Sequence, residues 1–502
     1  MRARGLAALA AAIAIGGLGA TSESAGARAV PARAGCGHWG RPAVAADPRP
    51  RALRVFAIQF RQDPAATVSI AAFRRAIDCA LRAEVLPHLA RGRANLVVLD
   101  EDTGLELLAA GPRGLPARRM IRHGVAGCAH SPWPCVTLAA LSALDVSYAR
   151  PLAYLERRFP GLGGQLGRAF VAATDVFVRG FMTTLAQEAL RYRIYIVASN
   201  TQAPFALTRD PRAVAALRDP SMPGVRAVYA PTTGAAYDQT FLWGPRVVHP
   251  RSPAPTANLL AVNRKVPLTS FEQALGFVPG PSAGRAAVRN LEPVAIPGTG
   301  ARLGFATSLP AFVYGDAASA QACADVALTY MRCLDRLGAN VLIQADANDG
   351  AWSGPDGSDA LELWQPLSWM GSAWRAVSDP TVRFAYAVNS FMVGNLADTP
   401  FDGQSAIFER GLHSGRACQY VGDRAFVPGQ DDPALRAYAG PKSQFLALAP
   451  WAVPGAPRAA LRRAGRALAG GSRRYRYVQT ALIADLPFPV DHRRAGCRVA
   501  GR

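Results

Sequence analysis

Short apolar runs that end in polar residues recur along this chain, with amphipathic helical stretches between them. That alternation restricts it to an α/β layered sheet rather than an all-α or all-β fold. Leu53-Arg-Val-Phe-Ala-Ile-Gln-Phe60 alternates at a period of two and reads as a strand, and Ile70 to Ala90 carries apolar residues at helical spacing. Asn95-Leu-Val-Val-Leu-Asp100 is a buried strand ending in acid. A mostly helical segment over 137–192 leads to a strand from Arg193 to Ser199, and Tyr237 to Pro245 followed by Leu259 to Val262 reads as a hairpin. Then come a strand from Arg302 to Ser308, a helix from Ala322 to Leu337, a strand from Asn340 to Ala345 and a helix over 361–375. The strand pair Arg383 to Val388 and Gly403 to Phe408 follows. The Ala/Arg/Gly stretch over 454–473 reads as an exposed helix or loop before a closing strand, Tyr475 to Ala484, and there is no internal repeat.

With 502 residues, half of them hydrophobic and only 18% charged, the chain can bury a large core. Met1-Arg-Ala-Arg followed by an apolar stretch from Leu6 to Leu18, with Ala25-Gly-Ala27 behind it, has the form of a secretory signal covering 1–27. The alternative, an uncleaved anchor, needs roughly 18 or more apolar residues, longer than this stretch, so the expectation is a secreted or cell-envelope protein without an integral membrane segment. Export and an even count of eight cysteines favour disulfides. Cys128 and Cys135 bracket a tight loop that a local bridge could close; their spacing matches no standard zinc pattern, and neither metal nor cofactor is expected. The net charge of +21 comes from scattered arginines rather than a stripe interleaved with aromatics, so nucleic acid is not an expected partner.

Lysine occurs only twice, at Lys265 and Lys442, in a chain whose cations are otherwise arginine. A surviving lysine marks a place where a compact ammonium cannot be exchanged for a flat guanidinium. Lys265 follows the apolar run Leu259-Leu260-Ala261-Val262, Glu101 follows the first buried strand within Asp100-Glu-Asp102, and Ser308 closes a third. Sites in open α/β sheets collect beyond the carboxyl ends of strands, where these groups can converge. A carboxylate that takes a proton, an ammonium that steadies an oxyanion and a nucleophile on a sharp turn form a coherent set. A solvated acidic turn at Glu101 and a structural salt bridge are the plainer readings.

The order of these segments, from about residue 53 to 485, resembles the nitrilase, or carbon-nitrogen hydrolase, superfamily. Ala94-Asn-Leu-Val-Val-Leu-Asp-Glu101 is similar to the segment ending in that family's catalytic glutamate, and the hairpin followed by Asn263-Arg-Lys-Val-Pro-Leu268 to its lysine motif. Gly338 to Trp352 resembles the strand and loop after its nucleophile, especially the Asn-Asp-x-Trp form of the periplasmic domain of apolipoprotein N-acyltransferases; Arg383 to Asn389 and Phe401 to Ser405 resemble its late strands. The resemblance implies a four-layer α-β-β-α sandwich over 53–490, between an N-terminal extension over 28–52 and a tail over 491–502. It also implies dimerisation through outer helices and a Glu-Lys-Cys triad that attacks amides, nitriles or related acyl groups of a small molecule. Glu101 and Lys265 match the first two members, and Glu272 matches an assisting second glutamate.

At the nucleophile position this chain has serine. The segment is Arg302-Leu-Gly-Phe-Ala-Thr-Ser308. A serine hydroxyl needs a strong adjacent base, whereas a cysteine is already partly thiolate near neutral pH. A rival alignment takes Cys323-Ala-Asp325, which no strand precedes; Cys323 is better read as half of a disulfide. Two functions follow: an exported amide-bond hydrolase using Glu101, Lys265 and Ser308 or Cys323, or a retired relative that keeps the pocket to bind a ligand or partner. An acyltransferase lacks the membrane helices its resemblance would need. Trp243, Trp352, Trp364 and Trp369 are candidates for an acyl pocket or for core packing.

Overall fold

The computed structural model describes residues 36–37, 39–64, 66–128, 135–315, 322–348, 365–396, 399–401, 403–413, 444–449, 478–490, 494 and 496–500. Two seven-stranded sheets dominate it. The first runs in the order Ala43–Ala45, Thr480–Leu486, Leu53–Gln59, Asn95–Val98, Tyr195–Gln202, Tyr237–Trp243 and Leu259–Arg264. The second runs Val294–Ala295, Arg302–Phe305, Val341–Asp346, Tyr386–Phe391, Ala406–Glu409, Phe445–Leu448 and Arg498–Val499.

Strand alternation sends successive residues to opposite faces, and the three apolar cores follow from it. Val55, Leu96, Val197 and Leu482 of the first sheet meet Leu303, Phe305, Val341 and Val388 of the second, so the sheets pack face to face. Phe56, Val97, Ile196 and Ile483 point the other way, onto Phe73, Ile77, Phe181 and Leu185 of helices. Leu342, Ala387 and Phe408 do the same on the far side, against Tyr330, Met331, Trp369 and Met370. The layers are therefore α-β-β-α, as expected.

Local chemistry sets the ends of the elements. Ser69 accepts from Ala72 N at 3.1 Å and starts the helix Ile70–Ala80, which buries Phe73, Ile77 and Ala80. The reading of one helix to Ala90 is corrected: the chain widens into a π turn over Leu81–Val85, then tightens into a 3₁₀ turn over Leu86–His88 that contains Pro87. Asp325 caps the helix Val326–Arg336, later than the expected Ala322 because Cys323 lies in the preceding turn, bridged to Cys333. Both chain ends enter the sheets: Ala43–Ala45 pairs with Leu482 to Ala484, and Arg498–Val499 with Ala447 and Leu448. The sheets thus reach past both limits of the 53–490 range. The signal segment, the 454–473 stretch, Tyr475, Trp352 and Trp364 lie outside the described residues. No helix among the described residues is long and apolar enough to cross a membrane.

Candidate active site

Glu101 sits three residues past the strand Asn95–Val98, and Leu99 N still bonds Val197 O at 2.9 Å, so the acidic turn begins while the chain is held in the sheet. That turn is not solvated. Asp100 is fully buried and bonded to Thr103, while Asp102 receives Thr201 N at 2.7 Å and gives its own N–H to Ser199 Oγ at 2.9 Å. Glu101, 4% exposed, is pinned by both oxygens: Oε1 accepts from Lys265 Nζ at 2.7 Å and Oε2 from Ala347 N at 2.7 Å.

Lys265 follows the edge strand Leu259–Arg264 and is fixed by its backbone, with N donating to Asp238 O at 3.0 Å and O accepting from Gly280 N at 2.8 Å. Its ammonium lies 2.7 Å from Glu101 Oε1, 2.9 Å from Glu272 Oε1 and 3.4 Å from Asp238 Oδ2. Glu272 reaches it from a capping box, its other oxygen accepting from Thr269 N and Thr269 Oγ1, each at 2.8 Å. The Glu101, Asp238 and Glu272 oxygens come within 4.8 Å of one another, a spacing that could hold a metal ion. Here the Lys265 ammonium lies among them and supplies the positive charge.

Three carboxyls around one ammonium cannot all ionise cheaply in a buried place. Burial pushes Glu101 well above the usual carboxyl range, Lys265 opposes this, and Asp238 and Glu272 reinforce it. Burial likewise raises Asp238, to about 6. On Lys265, burial works against the charge but the three carboxylates outweigh it and hold the group as an ammonium.

Ser308 completes the group from the second sheet. Beyond Arg302–Phe305 the parallel ladder continues, with Ala306 N bonding Ile343 O and Ser308 N bonding Ala345 O, each at 3.0 Å. At Ser308 the backbone turns sharply, to φ 59° and ψ −120°, before the 3₁₀ turn Leu309–Phe312. A non-glycine residue in that region carries strain of about 1–3 kcal/mol, and such strain gathers where a nucleophile is presented on a strand-to-helix turn. Ser308 and Glu101 share a neighbour: Ser308 N bonds Ala345 O, and Ala347 N, two residues on, bonds Glu101. Glu101, Lys265 and Glu272 thus meet directly, and Ser308 adjoins them through the strand end that bonds both it and Glu101. Cys323 does not join as a thiol, because it is bonded to Cys333 with S–S 2.01 Å. Cys36–Cys79 and the local Cys128–Cys135 bridge are also present, and among the described residues no cysteine is free.

No protein-family model matches the sequence, and no curated protein matches it. Solved structures of the amidase from Nesterenkonia sp. AN1 are similar to this chain. A double mutant of it in complex with acrylamide has a TM-score of 0.36 and 14% identity, covering 84% of this chain and 98% of that one. A mutant with acrylamide added to its active-site cysteine has a TM-score of 0.34 and 13% identity, with coverage of 71% and 85%. Another mutant, of the amidase described as from the nitrilase superfamily, has a TM-score of 0.34 and 14% identity, with coverage of 72% and 85%.

Sequence reasoning missed Asp238 and Asp346. Asp238 lies inside the strand Tyr237–Trp243 and Asp346 ends Val341–Asp346, and both are fully buried. An acid at such a position was the available signal, since a lone carboxyl is seldom buried without a partner. Trp243 and Trp369 prove to be packing. Trp243 is fully buried against Phe181 and Phe241, and Trp369, 2% exposed, packs edge-on against Phe312 at 5.0 Å.

Proposed function

We propose that this protein is an exported carbon-nitrogen hydrolase that opens an amide or related acyl bond of a small molecule through an acyl-serine. The observation that carries the reading is a caged ammonium, Lys265 among Glu101, Glu272 and Asp238, beside a serine held at positive φ. In this reading Ser308 attacks the carbonyl carbon, Lys265 stabilises the oxyanion, and Glu101 serves as general acid and base with Glu272 holding the ammonium in place. A carboxyl whose affinity for protons is raised can give one back to a departing amine near neutral pH. The disulfides are consistent with an oxidising compartment.

The second reading, a ligand-binding relative without turnover, is favoured by the serine itself, because a hydroxyl is a far weaker nucleophile than a thiolate. Intact mass and peptide mapping after incubation with small amides, activated esters and a serine-trapping phosphonate separate the two. An acyl or phosphonyl adduct on Ser308 is expected; a chain that takes no adduct under any condition would be a binding protein.

A further inference from the structure

A serine in this setting needs a base, and Glu101 is poorly placed to be its only one, because both of its oxygens are already bonded, to Lys265 Nζ and to Ala347 N. A different carboxyl lies alongside. The strands Arg302–Phe305 and Val341–Asp346 pair in parallel with Leu303 opposite Val341 and Phe305 opposite Ile343. The bonds from Ala306 N to Ile343 O and from Ser308 N to Ala345 O carry that register on, so Ser308 falls opposite Asp346.

Asp346 is fully buried, and its two side-chain donors both fall on one oxygen. Its Oδ2 accepts from Gln344 Nε2 at 2.9 Å and from Asn389 Nδ2 at 2.6 Å, and Gln344 is fixed in turn by Ser372 Oγ at 2.8 Å. Its Oδ1 has no hydrogen-bond partner among the described residues. A buried carboxylate oxygen without a donor is costly, and such an atom in a native site calls for a reason. Burial raises the Asp346 pKa to about 7, while Asn389 and Gln344, then the Lys265 ammonium and the Ser308 N–H, pull it down. The Lys265 ammonium is thus near enough to favour its charged form.

We propose that Asp346 accepts the Ser308 proton during acylation, leaving Glu101 to handle the amine and the water. The assignment rests on the hydrolase reading above. In acylation the Ser308 Oγ–H bond breaks, its proton passes to Asp346 Oδ1, and the Oγ–C bond forms while the carbonyl electron pair moves onto oxygen beside Lys265. Collapse breaks the C–N bond, and the amine leaves with the proton of neutral Glu101. In deacylation water gives a proton to Glu101 as hydroxide adds to the ester carbon. Ser308 Oγ then departs and regains its proton from Asp346. Both carboxyls return to their starting states, and two groups with different surroundings divide the two proton transfers.

The test compares D346N and E101Q on p-nitrophenyl acetate and on a matched anilide, reading the acylation burst and the acetyl increment on Ser308. A p-nitrophenolate leaves without a proton, so the ester needs only the base and the anilide needs both groups. D346N is expected to slow Ser308 acylation at least a hundredfold with ester and anilide alike, and to abolish a limb that in wild type rises around pH 7. E101Q is expected to slow the anilide far more than the ester. A Ser308 that acetylates at the wild-type rate in D346N would overturn the role of Asp346 alone. A wild-type Ser308 that takes no acetyl group would overturn the hydrolase reading and this role with it. Should D346N fail to fold, the ester pH profile decides between wild type and E101Q: the limb persists in E101Q if Asp346 is the base and disappears if Glu101 is.

Discussion

Two buried charge clusters sit at opposite ends of the first sheet, and they are built on opposite principles. At the start of its strands, Arg54 grips Asp485 through two bonds of 2.8 and 2.7 Å, with Arg93 3.5 Å away. Asp47 is bound by Arg49 at 2.9 Å, and Arg494 reaches Glu409 at 3.0 Å. Every acid there has a guanidinium, two of them in a fork, which ties the segments around Asp47 and Arg494 to the sheets. At the finish of the strands, one lysine serves three acids, with Asp346 close by. The first cluster is balanced and rigid, as a clamp requires. The second has an excess of carboxyls on one compact cation, so protons must stay in it, and protons held in a buried place are what acid-base chemistry uses.

The sharpest way to break the comparison is to remove a cation from each end. Lys265→Met should lower Ser308 acylation by about 10²–10³, the loss typical of one oxyanion donor, in a burst assay with activated ester. A guanidinium is no substitute inside the cage, so Lys265→Arg should be nearly as inactive. Arg54→Met should instead cost about 3–5 kcal/mol of stability in urea unfolding, because it leaves Asp485 buried without its main partner, while activity per folded molecule is kept. If Arg54→Met proves harmless to stability, the clamp reading fails.

A smaller effect tests what an acid without a cation does. Glu84 is buried and, among the described residues, hydrogen-bonded by Ala481 N alone at 3.0 Å, and burial lifts its pKa from 4.5 to about 8. A carboxyl raised on folding contributes stability that is fully present below its unfolded pKa and is lost as pH climbs to the folded one. Stability should therefore decline between pH 4.5 and about 8, by up to about 1.4 kcal/mol per pH unit from this group. Glu84→Gln, which mimics the protonated form, should flatten that slope in unfolding curves measured across the range. The smallest effect is at Ser308: Ser308→Gly should raise stability by about 1 kcal/mol by relieving the positive φ, while removing every covalent adduct.

Much of this was legible in the sequence because it follows from periodicity and from rare residues. Strand alternation placed the sheets, and the scarcity of lysine singled out Lys265. Glu101, Lys265 and Ser308 were each visible at or just beyond an apolar run, and Glu272 was visible only through the family resemblance. Asp238 and Asp346 were not, since each is a single acid whose neighbours come from other strands. The short strands Ala43–Ala45 and Arg498–Val499 were missed for a similar reason: two or three residues have no periodicity of their own, and their partners lie more than four hundred and about fifty positions away.

The sequence by itself determined the layers and the strand ends that carry polar chemistry. Those are properties of local pattern. Only the tertiary structure decided which acids share one ammonium, that Cys323 is tied to Cys333, and that Ser308 lies in register with a buried carboxyl. Register between parallel strands is fixed by the packing of whole sheets, and proton affinity by the charges and burial that packing brings together, so neither can be read from any one segment of the chain.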